Sequence, residues 1–280
     1  MGYLLPQRPA IGKELIHFPT IILIILVLRI FKIITLDMIE INNLHKSFGD
    51  NKVLNGVNLQ INRGETIAII GKSGCGKSVL IKHIVGLLYP DSGYVKVEGQ
   101  RIDDLEIKEL YELRKNFGFL FQGAALFDSM TVEENVALPL VESKTDYSKS
   151  KIAEIVADKL ELVGLPDTQN IKPAELSGGM KKRVGLARAL VTNPTYILYD
   201  EPTTGLDPIM SDSIDNLIKE LSEKINVTSV VVTHDMYSVK NIADKVAMIH
   251  EGIIHFTGTP KELVESNDQV IVDFIKRTSI

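Results

Sequence analysis

Residues Gly71 to Ser78 read GKSGCGKS, between the apolar run TIAII (Thr66 to Ile70) and the helical pattern SVLIKHIVGLL that begins at Ser78. Gly71, Gly74 and Gly76 let the backbone curl so that its N–H groups converge, and the helix start adds the positive end of its dipole at the same point. Such a loop between a strand and a helix restricts the chain to a layered α/β architecture with a phosphate site at the strand's carboxyl end. Lys72, Ser73, Cys75 and Val79 bring further loop donors, Lys77 a mobile cation for the β- and γ-phosphates, and Ser78 a hydroxyl for Mg²⁺. An ordinary glycine-rich turn has no need of Lys-Ser at the head of a helix. Cys75, the single cysteine, reads either as a thiol activated by the helix start or as a small loop filler.

The pattern continues along the chain. Tyr196 to Asp200 (YILYD) and Ser229 to Thr233 (SVVVT) read as buried central strands beside Thr66 to Ile70, and Phe117 to Phe121 is a further β-type run. NGVNLQI and GYVKVEG alternate apolar and polar residues, which predicts half-exposed antiparallel strands in a small side sheet near the loop. Between Val132 and Asn193 the strand patterns stop, and KIAEIVADKLELVG has helical spacing with Gly164 as its stop. The working domain is expected over residues 38–280, with a helical insertion at about 123–193.

Residues 1–37 differ from the rest, because Phe18 to Leu36 is almost wholly aliphatic. A spanning helix needs about 20 mostly apolar residues, whereas the unbroken run Ile21 to Leu28 is shorter and Arg29 and Lys32 follow it. No small-residue cleavage site marks a secretory signal. A peripheral membrane anchor and a dispensable extension, with the domain opening at MIEINNLHKSF, both stay open.

With 31 Lys and Arg against 36 Asp and Glu, the net charge of −5 gives no global field to hold nucleic acid. Any polyanion is small and locally bound.

Three more strand ends converge on the phosphate loop. YILYDEP sets Asp200 and Glu201 side by side; with strand alternation they take different tasks, Asp200 toward Mg²⁺ and Glu201 toward the water that attacks a γ-phosphate. His234 follows SVVVT and can bond the γ-phosphate or that water, whereas the other histidines have no comparable setting. Gln122 follows Phe117 to Phe121, and its amide can meet Mg²⁺ or the attacking water. Lys77, Gln122, Asp200 and His234 therefore share the crevice where open α/β sheets bind ligands.

LSGGM (Leu176 to Met180) is surplus to that crevice. Ser177 and the N–H groups of Gly178 and Gly179 form a second anion-binding helix start, separated from the chain's own loop by the helical insertion.

The ordered set GKSGCGKS, FQ, LSGGM, YILYDEP, TTGLD and THD resembles the ATP-binding cassette of ABC transporters over nearly all of residues 38–280. The resemblance implies a P-loop NTPase core of RecA-like α/β type with the side sheet and inserted helical subdomain, and ATP with Mg²⁺ as ligands. It also implies a head-to-tail homodimer in which LSGGM of one copy closes on the ATP of the other. Asp207 of GLDP resembles the aspartate that links the two sites, and Phe48 the aromatic that stacks on adenine. Many cassettes carry glutamine where Met180 stands, a departure that leaves the Gly178 and Gly179 donors intact. A separate integral membrane permease is implied, placing the chain peripherally at the cytoplasmic face of the inner membrane. Leu126 and Phe127 fall where such cassettes dock a permease, or else fill the insertion's own core.

LSGGM together with GAALFDSMTVEENVALPL is similar to the ATPases of the Mla phospholipid systems, whose partners include an MCE-domain lipid-binding protein and a small accessory subunit. An importer for an amino acid, a metal or another small solute uses the same catalytic set. A mechanical ATPase acting on DNA or ribosomes would carry a long coiled-coil insertion, and a simple kinase has no use for LSGGM.

Overall fold

The structure, a computed structural model, describes residues 39–143 and 145–278; the readings placed on residues 1–37 lie outside the described residues. Its strands are β1 (Ile39–Phe48), β2 (Asn51–Ile61), β3 (Thr66–Ile70), β4 (Ser92–Val97), β5 (Gln100–Arg101) and β6 (Phe117–Leu120). After the helical segment come β7 (Tyr196–Asp200), β8 (Thr228–Val232), β9 (Lys245–His250) and β10 (Ile253–Gly258).

They form two sheets. The first is antiparallel with the order β2-β1-β4-β5, the second has the order β10-β9-β3-β8-β7-β6 and is parallel except for β10. Alternation explains the first: in β2, Val57, Leu59 and Ile61 are buried while Asn58 and Gln60 are exposed. NGVNLQI and GYVKVEG both sit in this side sheet, each paired with β1 rather than with the other. Continuous burial explains the second, since every residue of β3 and β8 is buried between layers. SVVVT forms β8 one residue earlier than its apolar run suggests, because Thr228 also pairs in the ladder with Tyr196.

The helices are α1 (Lys77–Ile84), α2 (Ile107–Arg114), α3 (Val132–Glu142), α4 (Lys149–Leu162), α5 (Gly178–Leu190), α6 (Pro208–Ile225), α7 (Met236–Ile242), α8 (Pro260–Val264) and α9 (Gln269–Thr278). The three helices α3 to α5 lie between β6 and β7 in the chain. Each starts on a side-chain cap: Thr131 accepts from Glu134 N, Ser148 from Lys151 N and Ser177 from Met180 N. Val156 and Leu160 on α4 are fully buried with Val136 of α3, at about 1.5–3 kcal/mol per side chain removed from water.

This topology sets the site. In the order β3-β8-β7-β6 the four strands are parallel neighbours, so the residues that follow them emerge side by side at one edge.

Candidate active site

The glycine-rich loop joins β3 to α1. Gly76, the residue before α1, has φ 104°, and a Cβ there would lie 2.8 Å from Leu54 Cδ2, so both conformation and space require glycine. Leu54 belongs to β2, which shows how the side sheet braces the loop. Lys77 is buried, and its Nζ donates to the carbonyls of Gly71 (2.8 Å) and Lys72 (3.2 Å). Both acceptors are neutral backbone carbonyls. The Cys75 thiol is pushed up by burial, against the opposing pull of Lys77. Desolvation outweighs the nearby cation, so the depressed thiol considered from sequence is not what the fold produces.

A cleft of about 410 Å³ opens over this loop, lined by Phe48, Val53, Ser73, Gly74, Gly76, Lys77, Ser78, Val79, Gln122, Asp200, Glu201 and His234. Residues of the loop and of the ends of β6, β7 and β8 thus line one cleft. Phe48 is half-exposed with Lys46 Nζ 5.7 Å from its ring centre.

Ser78 Oγ donates to Asp200 Oδ1 at 3.2 Å. Burial pushes the Asp200 carboxyl up, the Ser78 bond draws it down, and Glu201 adds to the rise while Lys82 and Lys77 oppose it. Glu201 departs from the alternation expected of consecutive strand residues. At φ 50° it has left the strand, a left-handed conformation that costs about 1 kcal/mol or more for a side chain of this kind. The turn brings both carboxylates into the same cleft, yet their partners differ. Glu201 is held by His234 Nδ1, 2.8 Å from Oε2, and by Thr204 Oγ1, which donates to Oε2 at 3.0 Å. A carboxylate anchored by two side-chain donors beside the loop that carries Lys77 can accept a proton from a water held there.

Ser177, Gly178 and Gly179 do not line this cleft. Ser177 and Gly178 are exposed at the start of α5, and Ser177 Oγ accepts from Met180 N at 3.2 Å. Asp207, also exposed, caps α6 by accepting from Met210 N at 3.0 Å. The two turns are packed together: a Cβ on Gly178 would stand 3.2 Å from Leu206 Cδ2, and one on Gly179 3.0 Å from Met210 Sδ. They form a second constellation, outside the lining of the first. Leu126 packs against the helical core, whereas Phe127 is half-exposed.

Two contributors were not legible. Thr204 stands three residues past Glu201 as an unremarkable turn threonine. Lys182 looks like a solvated charge in MKKR, but it is buried with Nζ bonded to the Gln122 carbonyl and 3.3 Å from that of Glu201.

A family model described as ABC transporter matches residues 54–204. The chain belongs to the ABC transporter family. Accordingly it is an ATP-binding, ATP-hydrolysing subunit. It is 43% identical over 243 residues to the intermembrane phospholipid transport system ATP-binding protein MlaF of Haemophilus influenzae, covering 87% of this chain and 92% of that one. It is 44% identical over 226 residues to the methionine import ATP-binding protein MetN of Clostridium acetobutylicum, covering 81% and 70%. Among solved structures, the dimeric post-hydrolysis cassette MJ0796 bound to ADP and Pi aligns with a TM-score of 0.73 and 34% identity, covering 79% of this chain and 98% of that one. Among the described residues no helix of this ABC protein is long and apolar enough to cross a membrane.

Proposed function

We propose that this chain is the ATPase of a phospholipid transporter of the bacterial cell envelope. The observation that carries the substrate class is the 43% identity to MlaF, which extends over 92% of that relative. In this reading residues 38–280 are the cassette, with the helical insertion at about 123–193, and residues 1–37 are an extension. The cassette works as a head-to-tail pair on a separate permease at the cytoplasmic face of the inner membrane. An MCE-domain lipid-binding protein and a small accessory subunit complete the assembly.

Each side chain then has a task. The loop Gly71 to Val79 wraps the triphosphate, Lys77 meets the β- and γ-phosphates, and Phe48 stacks on adenine at the cleft mouth. Ser78 and Asp200 would hold Mg²⁺: a hydroxyl and a carboxylate 3.2 Å apart are hard oxygen donors, and a cation would offset the burial that raises Asp200. When bound, the ion neutralises phosphate charge. The Gln122 amide orients the attacking water and lies within reach of the same site. Glu201 accepts that water's proton while His234 and Thr204 hold its carboxylate. The exposed Ser177 and Gly178, with Gly179 behind them, meet the partner copy's nucleotide with Asp207 beside them, so neither site is complete alone.

The test is to purify the chain from its native membrane in mild detergent and identify co-purifying proteins and lipids by mass spectrometry. An MCE-domain partner, a permease and bound phospholipid are expected. A solute-binding protein with a different permease would replace the lipid reading with the importer suggested by MetN and leave the ATPase in place.

A further inference from the structure

Lys182 is 5% exposed although Lys181 and Arg183, on either side of it, stay partly exposed. A lysine is kept this deep only where its ammonium donors find acceptors. Here they find the backbone carbonyls of Gln122 and, at 3.3 Å, Glu201. One cation on α5 therefore joins the loop after β6 to the residue after β7.

The same helix grips that loop again six residues on, nearly two turns later. Arg188 donates to Ala124 O at 2.6 Å and to Ala125 O at 2.8 Å. Between the two cations lies Gly185, where a Cβ would come within 2.9 Å of Leu120 Cδ1 and 3.2 Å of Ala124 Cβ. Bare backbone at that position lets the loop lie against α5. Ala124 and Ala125 have φ 59° and 48°, a conformation that persists in non-glycine residues only where surrounding contacts fix it.

Glu201 is pinned in the same manner. Its left-handed backbone is held from one side by its own N–H, which donates to Val232 O at 2.9 Å, and from the other at its carbonyl, which accepts from Lys182 Nζ and from Thr204 N, each at 3.3 Å, Lys182 being the charged donor of the two. Without Lys182 the carbonyl loses its charged donor, and the backbone is freer to relax toward the extended region that a glutamate prefers.

We propose that Lys182 is a positioning residue for ATP hydrolysis, holding the carbonyls of Gln122 and Glu201 together so that the Glu201 carboxylate stays aimed at the attacking water. It thereby ties the base to α5, the helix whose first residues are Gly178 and Gly179. This inference rests on the reading of Glu201 and Gln122 as hydrolytic residues. Lys182 does not line the nucleotide cleft, so its loss acts on turnover and not on ATP binding.

The experiment compares the chain, purified with its membrane partners, as parent, Lys182→Met, Lys182→Arg and Glu201→Gln. Lys182→Met is expected to lower kcat about tenfold with KM for ATP within about twofold of the parent, as loss of a charge-assisted bond at the base would. Lys182→Arg, which keeps the charge and the donors, is expected to recover most of kcat. Lys182→Gln keeps a neutral donor; it is expected to fall between them and serves if the methionine variant does not fold. Unchanged kcat in the methionine and glutamine variants, a change confined to KM, or a loss that arginine does not relieve would overturn the proposal. Stalled Glu201→Gln beside a fully active Lys182→Met removes Lys182 alone, whereas normal turnover by Glu201→Gln removes the hydrolytic reading and this inference with it.

Discussion

His234 Nδ1 lies 2.8 Å from Glu201 Oε2 and 3.0 Å from Oε1. An ionised carboxylate only accepts, so Nδ1 carries the proton of this contact and donates across both oxygens. Because β7 and β8 are parallel neighbours with Asp200 paired to Val232, the two residues reach each other from adjacent strand ends with no long loop between. Thr204 adds a donor from the turn that follows. The carboxylate is thus held by donors of the chain itself, and in the proposed role as base that lowers the cost of reorganising at the moment of reaction.

Glu201→Gln is expected to separate binding from turnover. The amide is nearly the same size and can remain near His234, but it cannot take a proton from water. Turnover should fall by at least about a hundredfold, the usual worth of a positioned base, while ATP binding persists. Size measurement with ATP and Mg²⁺ should then find a trapped pair. A monomer under those conditions would count against a shared site.

Lys77→Ala removes an ammonium that is buried and bonded only to the neutral Gly71 and Lys72 carbonyls among the hydrogen bonds described. Nucleotide affinity is expected to drop about tenfold or more, since charge-assisted contacts to phosphate are the strong ones, and turnover should vanish with it. Titration with a fluorescent ATP analogue reads the first effect and phosphate release the second. Normal turnover would dismiss the loop as the phosphate site.

Most of the cleft could be read before the fold was known, because each of its parts carries a local signal. GKSGCGKS declares backbone curvature, and YILYD and SVVVT declare buried strands whose ends point to one crevice. What could not be read depends on partners distant in sequence. Lys182 is solvated or buried according to whether Gln122 and Glu201 lie above it, at separations of 60 and 19 residues. Cys75 sits at a helix start, which favours a thiolate, yet packing against the side sheet's core decides the opposite sign. The alternation rule separated Asp200 from Glu201, and it failed at the residue where the chain turns left-handed and ceases to be a strand.

Ser177→Arg should distinguish a partner-facing role from a local one. Ser177 caps α5, and loss of a cap costs about 1 kcal/mol, so Ser177→Asn, which retains a capping oxygen, is the control. The arginine variant is expected to bind ATP at its own loop as the parent does, because Ser177 does not line that cleft. Its bulk and charge at the exposed helix start should prevent closure of the pair and abolish cooperative hydrolysis. Cooperative turnover equal to the parent's would contradict the action of LSGGM on a partner's nucleotide.

Asp215 provides a test on stability. It is fully buried on α6, and the nearby Ser238 hydroxyl, which donates to Asp235 at 3.3 Å, gives its carboxylate only a weak contact. Burial pushes its carboxyl up from 3.8 to about 6; Ser238 offsets part of the rise, and Asp235 and Asp212 add to it. As pH climbs, the unfolded chain releases this proton first, so the folded state loses stability between about pH 4 and 6 and carries the whole penalty above that. A rise from 3.8 to about 6 corresponds to roughly 3 kcal/mol. Asp215→Asn removes the charge but buries an amide whose own donors go unmet, at about 1–2 kcal/mol. The variant is therefore expected to be more stable than the parent by about 1–2 kcal/mol at pH 7.5 and to lose that advantage near pH 4. Urea unfolding of both proteins across this range reads the difference directly, and a gap that stays constant with pH would show that Asp215 does not titrate in the folded state as described.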